Sequence, residues 1–331
     1  MREVHLVTGA AGFIGSHVAD ALLARGELVR GVDCFTPYYD RRSKEGNIAH
    51  LLENPNFELR NVDLREGELP ELLEDVGFVY HLAAQPGVPR SWASGFADYV
   101  TCNVVGTQRL LEAVRDVELK RFVYASSGST YGDIDADPIT EEDLPRPHSP
   151  YGVTKLAAEH LCSLYADEWD VPVVSLRYFY VYGPRQRPDV AVYRMIENGI
   201  RGEPFELWGD GSHARDFTYV ADIVEATLLA AEANEIAPGT FINVSTGSVL
   251  TLSELIEIVG RAIGKPLTVE RLGGRPGYTR GARGSNRLAH ELLHWEPRTS
   301  VEDGIAEQVA WHRQRMAAED GGRASRAAAR R

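Results

Sequence analysis

Short runs of aliphatic and aromatic residues alternate with longer stretches in which apolar residues recur every three or four positions. The short runs are VHLVTG from Val4, LVRGVD from Leu28, FELRNVDL from Phe57, FVYHLAA from Phe78, RFVYASS from Arg121 and VPVVSLRYFYVYG from Val171. Between the first two, the spacing predicts a helix from about Phe13 to Arg25. Apolar strands alternating with amphipathic helices predict an α/β fold, a doubly wound parallel sheet with helices on both faces. After Gly183 the pattern loosens into the turn-rich GPRQRPDV, RGEPFELWGDGS and RLGGRPGYTRGARG. That part is expected to form a smaller lobe over the carboxyl edge of the sheet. FTYVADIVEATLLAAEA and FINVSTG look like a helix and a strand that return to the first lobe, so the lobes interleave. The expected division is 1–182, with returning segments near 217–247, then 183–316, then a disordered Ala/Arg/Gly tail at 317–331.

Composition narrows the function classes. The 331 residues carry a net charge of -13 with 25% charged and 44% hydrophobic residues, which fits a globular enzyme and argues against a nucleic-acid binder. A small anionic ligand would need a local basic pocket. Cys34, Cys102 and Cys162 are widely spaced, without metal-ligand spacing, as expected in a reducing cytosol. The chain starts without an apolar leader and contains no run of 18 apolar residues, so the expectation is a cytoplasmic protein with no membrane contact.

Candidate chemistry sits at two places. Gly9, Gly12 and Gly15 fall between the first strand and first helix, with Phe13 and Ile14 in the same turn. This is where a dinucleotide pyrophosphate meets backbone N–H groups at a helix N-terminus. Asp33 ends the second strand, where a carboxylate bonds ribose hydroxyls and repels a 2′-phosphate, favouring NAD over NADP. The second place is SPYGVTK, which puts Tyr151 and Lys155 four residues apart on one helix face. A lysine there is expected to lower the phenol's pKa towards neutrality and make Tyr151 a general base.

With the glycine triplet, Asp33, NVDL, HLAA, ASSGSTYG and YGVTK in this order, the chain resembles the extended short-chain dehydrogenases, the nucleotide-sugar epimerase and dehydratase group, from about Val4 to Ile305. The resemblance implies a Rossmann sheet, NAD as cofactor, a UDP-sugar substrate and a homodimer formed through the helices near Asn103–Arg115 and after Tyr151. It implies that Asp63 and Leu64 flank the adenine, that Ala83, Ala84 and Ser126 line the cofactor, that Asn103 helps position it, and that Lys155 holds the nicotinamide ribose. Ser127 aligns with the third catalytic residue beside Tyr151 and Lys155. Arg215 and Arg275, with Arg185, match contacts to the diphosphate and ribose.

Within this group, DCFTPYYDRRSKEGNI, HLAAQPGVPRS and VYGPRQRPDVAVYRMI look most like UDP-glucuronate 4-epimerases. Tyr180 stands where hexose epimerases have asparagine and the uronate enzymes threonine. Gly128 and Ser129 replace the acids that dehydratases and decarboxylases carry. The implied reaction is a redox-neutral inversion at C4 through a 4-keto sugar, with Ser129 and Thr130 as neutral donors to the uronate carboxylate. UDP-glucose/UDP-galactose epimerisation is the alternative, then UDP-glucuronate decarboxylation; a non-catalytic NAD sensor is the rival from another class. HELLH, His290 to His294, matches a zinc-protease pattern, with Glu291 as base, but no third ligand follows at a recognisable spacing, and no metal is expected.

Overall fold

The computed structural model describes residues 3–273 and 283–328, with side chains to Asp320. Seven parallel strands form the central sheet: β1 (Val4–Thr8), β2 (Leu28–Val32), β3 (Phe57–Arg60), β4 (Val76–His81), β5 (Arg121–Ser127), β6 (Val173–Tyr178) and β11 (Phe241–Val244). Their order is β11-β6-β5-β4-β1-β2-β3. The chain therefore reverses direction across the sheet between β1 and β4, which opens a crevice at the carboxyl edge. β6 is buried at every position, as a strand covered on both faces must be.

The helices are α1 (Phe13–Ala24), α2 (Arg41–Ile48), α3 (Phe96–Tyr99), α4 (Gly106–Val114), α5 (Pro150–Trp169), α6 (Ala191–Arg201), α7 (Val220–Glu232), α8 (Leu252–Ile263), α9 (Arg287–Leu293) and α10 (Val301–Ala328). A π-helical segment, Val100–Val105, joins α3 to α4. Two features start α5: Pro150 in its first turn, and the Ser149 side chain, which accepts the Gly152 amide at 3.1 Å. Among the described residues no helix is long and apolar enough to cross a membrane.

The remaining strands pair over the carboxyl edge. β7 (Tyr180–Tyr182) lies parallel to β10 (Phe217–Tyr219), β8 (Phe205–Trp208) parallel to β13 (Val269–Leu272), and β9 (Ala214–Arg215) antiparallel to β12 (Leu250–Thr251). They and α6, α8 and α10 enclose a separate apolar core around Val192, Ile196, Phe205, Leu255 and Val259. α7 packs on α1 beneath the main sheet.

Two differences from the sequence pattern have physical causes. The run VPVVSLRYFYVYG is not one strand: it breaks at Phe179, whose ring lies 3.3 Å from where a side chain on Gly128 would start. β7 then leaves the main sheet. The final helix continues to Ala328, through most of the stretch expected to be a disordered tail; Ala and Arg are strong helix formers.

Candidate active site

The crevice is a cavity of about 1720 Å³, counted out to its open mouth. At its floor the β1–α1 turn brings Gly9, Gly12, Phe13, Ile14 and Gly15 to the wall. The glycines are required by contact. Gly9 has φ +70°, and a Cβ there would stand 2.9 Å from the Ala83 amide nitrogen; one on Gly15 would stand 2.1 Å from the Gly9 carbonyl oxygen. Gly12 is the N-cap of α1, and no side chain caps its first turn, so the positive end of the helix dipole faces the cavity.

Asp33 accepts the amides of Ala11 (3.2 Å) and Phe35 (2.7 Å), which aims its carboxylate at the turn. Lys44 of α2, part of the same wall, stands 3.4 Å from it. Asp63 and Leu64 line the next section. Arg65 grips Asp63 at 2.6–3.1 Å and holds its carboxyl below the usual range. Ala83 and Ala84 follow β4, fixed because the Ala83 amide donates to Thr8 Oγ1 at 3.1 Å. Asn103 is buried and outside the wall. Its Oδ1 accepts the Gln85 amide at 2.6 Å and its Nδ2 donates to the Gln85 carbonyl at 3.1 Å, so it acts on the cavity through the loop that carries Gln85.

Ser126, Ser127, Tyr151 and Lys155 meet where the cofactor end of the cavity joins the second lobe. Ser127 stands beside the Tyr151 phenol, close enough to favour its charged form, and accepts the Ser129 amide at 3.1 Å. Burial pushes the Tyr151 phenol above its ordinary value, against the pull of Ser127 and of the Arg187 charge. The expected downward shift set by Lys155 is not seen: the Lys155 charge is not among the influences on the phenol, and desolvation sets the direction. The same burial draws Lys155 down to about 7, against the weaker influence of Cys162 and Glu159. Its ammonium lies 4.3 Å from the centroid of Tyr124, a favourable contact for a desolvated cation. A hydroxyl, a phenol and an ammonium in this arrangement can take a proton from an alcohol and return it.

The substrate-side expectations divide. Ser129 and Tyr180 line the cavity; burial pushes the Tyr180 phenol up to about 12, and its ring packs edge-on against Phe217. Thr130 does not reach it: the side chain is fully buried, and its hydroxyl donates to the Ser127 carbonyl at 2.8 Å. Arg185 also lies off the wall, with φ +63° and an ion pair to Asp20 at 2.6 Å. Arg215 sits in β9, where its guanidinium donates to the Ala214 carbonyl at 2.7 Å, and is not part of the wall. Arg275 lies outside the described residues. Arg187, not singled out from the sequence, supplies a cavity guanidinium, paired with Asp189 at 3.2 Å. Tyr38 beside it donates to Asp189 at 3.2 Å.

The HELLH segment ends α9 rather than continuing it. His294 is left-handed, Glu291 pairs with Arg287 at 2.8 Å, and His290 with Glu296 at 3.1 Å. Among the described residues no group of three or more His, Cys, Asp or Glu side chains could hold a metal ion.

A doubly wound sheet with a glycine cradle, a strand-end aspartate and a Ser-Tyr-Lys cluster is the framework of an NAD-dependent enzyme. The model of the NAD dependent epimerase/dehydratase family matches residues 5–245, and the chain belongs to that family. It is 35% identical to the UDP-glucuronate 4-epimerase of Thermodesulfobacterium geofontis, over 94% of this chain and 97% of that one. It is 38% identical to the UDP-glucose 4-epimerase of Mycolicibacterium smegmatis, over 93% and 98%. Among solved structures, UDP-glucuronic acid 4-epimerase from Bacillus cereus, in complex with UDP-glucuronic acid and NAD, superposes with a TM-score of 0.91 at 40% identity, covering 94% of this chain and 99% of that one.

Proposed function

We propose that this chain is an NAD-dependent UDP-sugar 4-epimerase that interconverts UDP-glucuronate and UDP-galacturonate. The observation that carries the reading is that Ser127, Tyr151 and Lys155 share the wall of the dinucleotide crevice where it meets the second lobe. The likeness to two uronate epimerases supports the uronate. A UDP-glucose 4-epimerase among the relatives favours UDP-glucose as the second reading, whereas Tyr180 matches the residue of neither group.

In this mechanism the glycine turn and the α1 N-terminus hold the pyrophosphate and Asp33 the adenosine ribose, while Asp63, Leu64, Ala83, Ala84 and Ser126 enclose the rest. NAD, when bound there, would supply a reversible hydride acceptor for the C4 carbon. Tyr151, as phenolate, removes the C4 hydroxyl proton with Ser127 bridging, and Lys155 holds positive charge against the phenolate. Once the ketone has turned over, Tyr151 returns the proton on the other face. A 4-keto uronate is a β-keto acid, so its carboxylate must be held away from the orientation that releases CO2. Ser129 is our neutral donor for this task. Arg187, with Arg215 and Arg275, is our candidate for the UDP charges.

We further place the enzyme in the cytoplasm as a homodimer. Cys34, Cys102 and Cys162, all free thiols, support the first; the exposed Val105, Val153, Leu164 and Trp169 support a partner face along the π-helical segment and α5. Light scattering at twice the chain mass is the expected result. Proton NMR of the protein with UDP-glucuronate, with and without NAD, tests the reaction: a mixture of glucuronate and galacturonate anomeric signals is expected. A pentose product with CO2, or turnover of UDP-glucose alone, would overturn the uronate reading.

A further inference from the structure

A buried charged network lies directly behind the reaction centre. Glu159 is on the Tyr151 and Lys155 face of α5, one turn beyond Lys155. The Ser126 hydroxyl, at the end of β5, donates to Glu159 Oε2 at 2.6 Å. Arg177 of β6 grips the same carboxylate, with Nε 2.9 Å from Oε2 and Nη2 on Oε1. Its remaining nitrogen donates to the Tyr131 phenol at 2.6 Å, and Tyr131 donates to Asn243 at 2.8 Å. The guanidinium lies between the rings of Tyr131 and Phe241, at 4.6 and 4.0 Å. Ser126, Glu159 and Arg177 are 4%, 3% and 1% exposed.

We propose that Glu159, backed by Arg177, is the positioning residue of the reaction centre: it locks the strand end carrying Ser127 to the helix carrying Tyr151 and Lys155. The inference rests on the epimerase reading of that site. Ser126 and Ser127 are adjacent at the end of β5, and both are directed to residues of α5. One hydroxyl is tied to α5 through Glu159, and the other meets Tyr151. A shift of α5 along β5 breaks the first bond before the second can follow, so the distance between hydroxyl and phenol is fixed from behind.

Glu159 also supplies a negative charge towards Lys155. The groups that face that ammonium are Tyr151, Glu159 and Cys162 on its own helix, the Tyr124 ring on β5, and His81 on β4, which burial keeps neutral at about 3. Glu159 is thus the carboxylate that favours the protonated lysine.

The test uses the NAD-loaded protein and Glu159→Gln, with Glu159→Gln/Arg177→Met as a second variant that leaves no unpaired buried charge. Expected for both is retained NAD, KM for UDP-glucuronate within about twofold of wild type, and kcat lower by about tenfold or more. The Nζ chemical shift of Lys155 in Glu159→Gln is expected to titrate at lower pH than in wild type. If Glu159→Gln does not fold, Ser126→Ala, which cuts the link, is expected to retain NAD and lower kcat, while Tyr131→Phe does not lower it. Unchanged kcat in every folded variant, with an unmoved Lys155 midpoint, would overturn the proposal. Inactivity of wild type towards UDP-glucuronate and UDP-glucose alike would instead overturn the epimerase reading, and the Lys155 midpoint would then decide this one.

Discussion

Lys44 holds its ammonium 3.4 Å from the Asp33 carboxylate, and both side chains are shielded from solvent. Asp33 also accepts two backbone amides, so its charge is fixed at the end of β2 and balanced from one side. Lys44→Met should leave that carboxylate without its cation and loosen NAD by about tenfold, roughly 1.4 kcal/mol, without admitting NADP, because Asp33 still repels a 2′-phosphate. Asp33→Ala should do the opposite: Lys44, freed of its partner, is available to a phosphate, and NADP is retained. Cofactor content after reconstitution with each dinucleotide checks both. A strict preference for NAD in Asp33→Ala would remove Asp33 from the role of discriminator.

Tyr151→Phe removes one oxygen from the cavity and leaves the glycine cradle and Asp33 intact. NAD content is expected to equal that of wild type while kcat falls by several orders of magnitude. Ser127→Ala, which takes away the neighbouring hydroxyl but not the base, is expected to fall by about a hundredfold. Turnover in Tyr151→Phe comparable with wild type would exclude the phenol as the base.

Burial draws Lys155 down to about 7, whereas in the unfolded chain a lysine titrates near 10.4. Between these values the unfolded state binds one more proton than the folded state, so stability rises with pH by up to ~1.4 kcal/mol per unit. Above the unfolded value the effect ends, and below about pH 7 the full cost of a buried ammonium is present. Lys155→Met should therefore be more stable than wild type at pH 6.5 by about 2 kcal/mol, the Tyr124 contact offsetting part of the cost, and nearly equal to it at pH 10. Urea unfolding of the two proteins without NAD at both pH values gives the comparison. An advantage that grows with pH would reverse the sign and rule out a desolvated lysine.

The contrast between Arg185 and Arg187 explains what the sequence could and could not reveal. The glycine turn, Asp33 and the Tyr151/Lys155 pair lie at ends of regular elements, where strand and helix periods dictate which way a side chain faces, and all of them line the cavity. GPRQRPDV is a loop. There a left-handed residue at Arg185 turns one guanidinium back to Asp20 and leaves Arg187 for the cavity; no periodicity distinguishes the two. Lys44 belongs to the same class, since its reach to Asp33 depends on how α2 docks. Asn103 and Glu159 act through other residues, and such action is visible only once the hydrogen bonds are. Pairing Glu159 with Arg177 from the sequence would have required knowing that β6 lies beside β5.

Ser129 and Thr130 were equivalent candidates for the uronate carboxylate, and their surroundings separate them. Ser129 lines the cavity; Thr130 donates its hydroxyl to the Ser127 carbonyl, away from the cavity. Ser129→Ala is expected to raise KM for UDP-glucuronate more than for UDP-glucose and to increase the fraction of pentose, because a carboxylate held by fewer donors reaches the orientation for CO2 loss more often. Thr130→Val keeps the shape but removes the buried bond, and should lower stability by about 1 kcal/mol with the product ratio unchanged. NMR product ratios and urea midpoints read the two effects independently. If Thr130→Val rather than Ser129→Ala altered the ratio, the strand end would control the carboxylate through the Ser127 backbone instead of through a hydroxyl in the cavity.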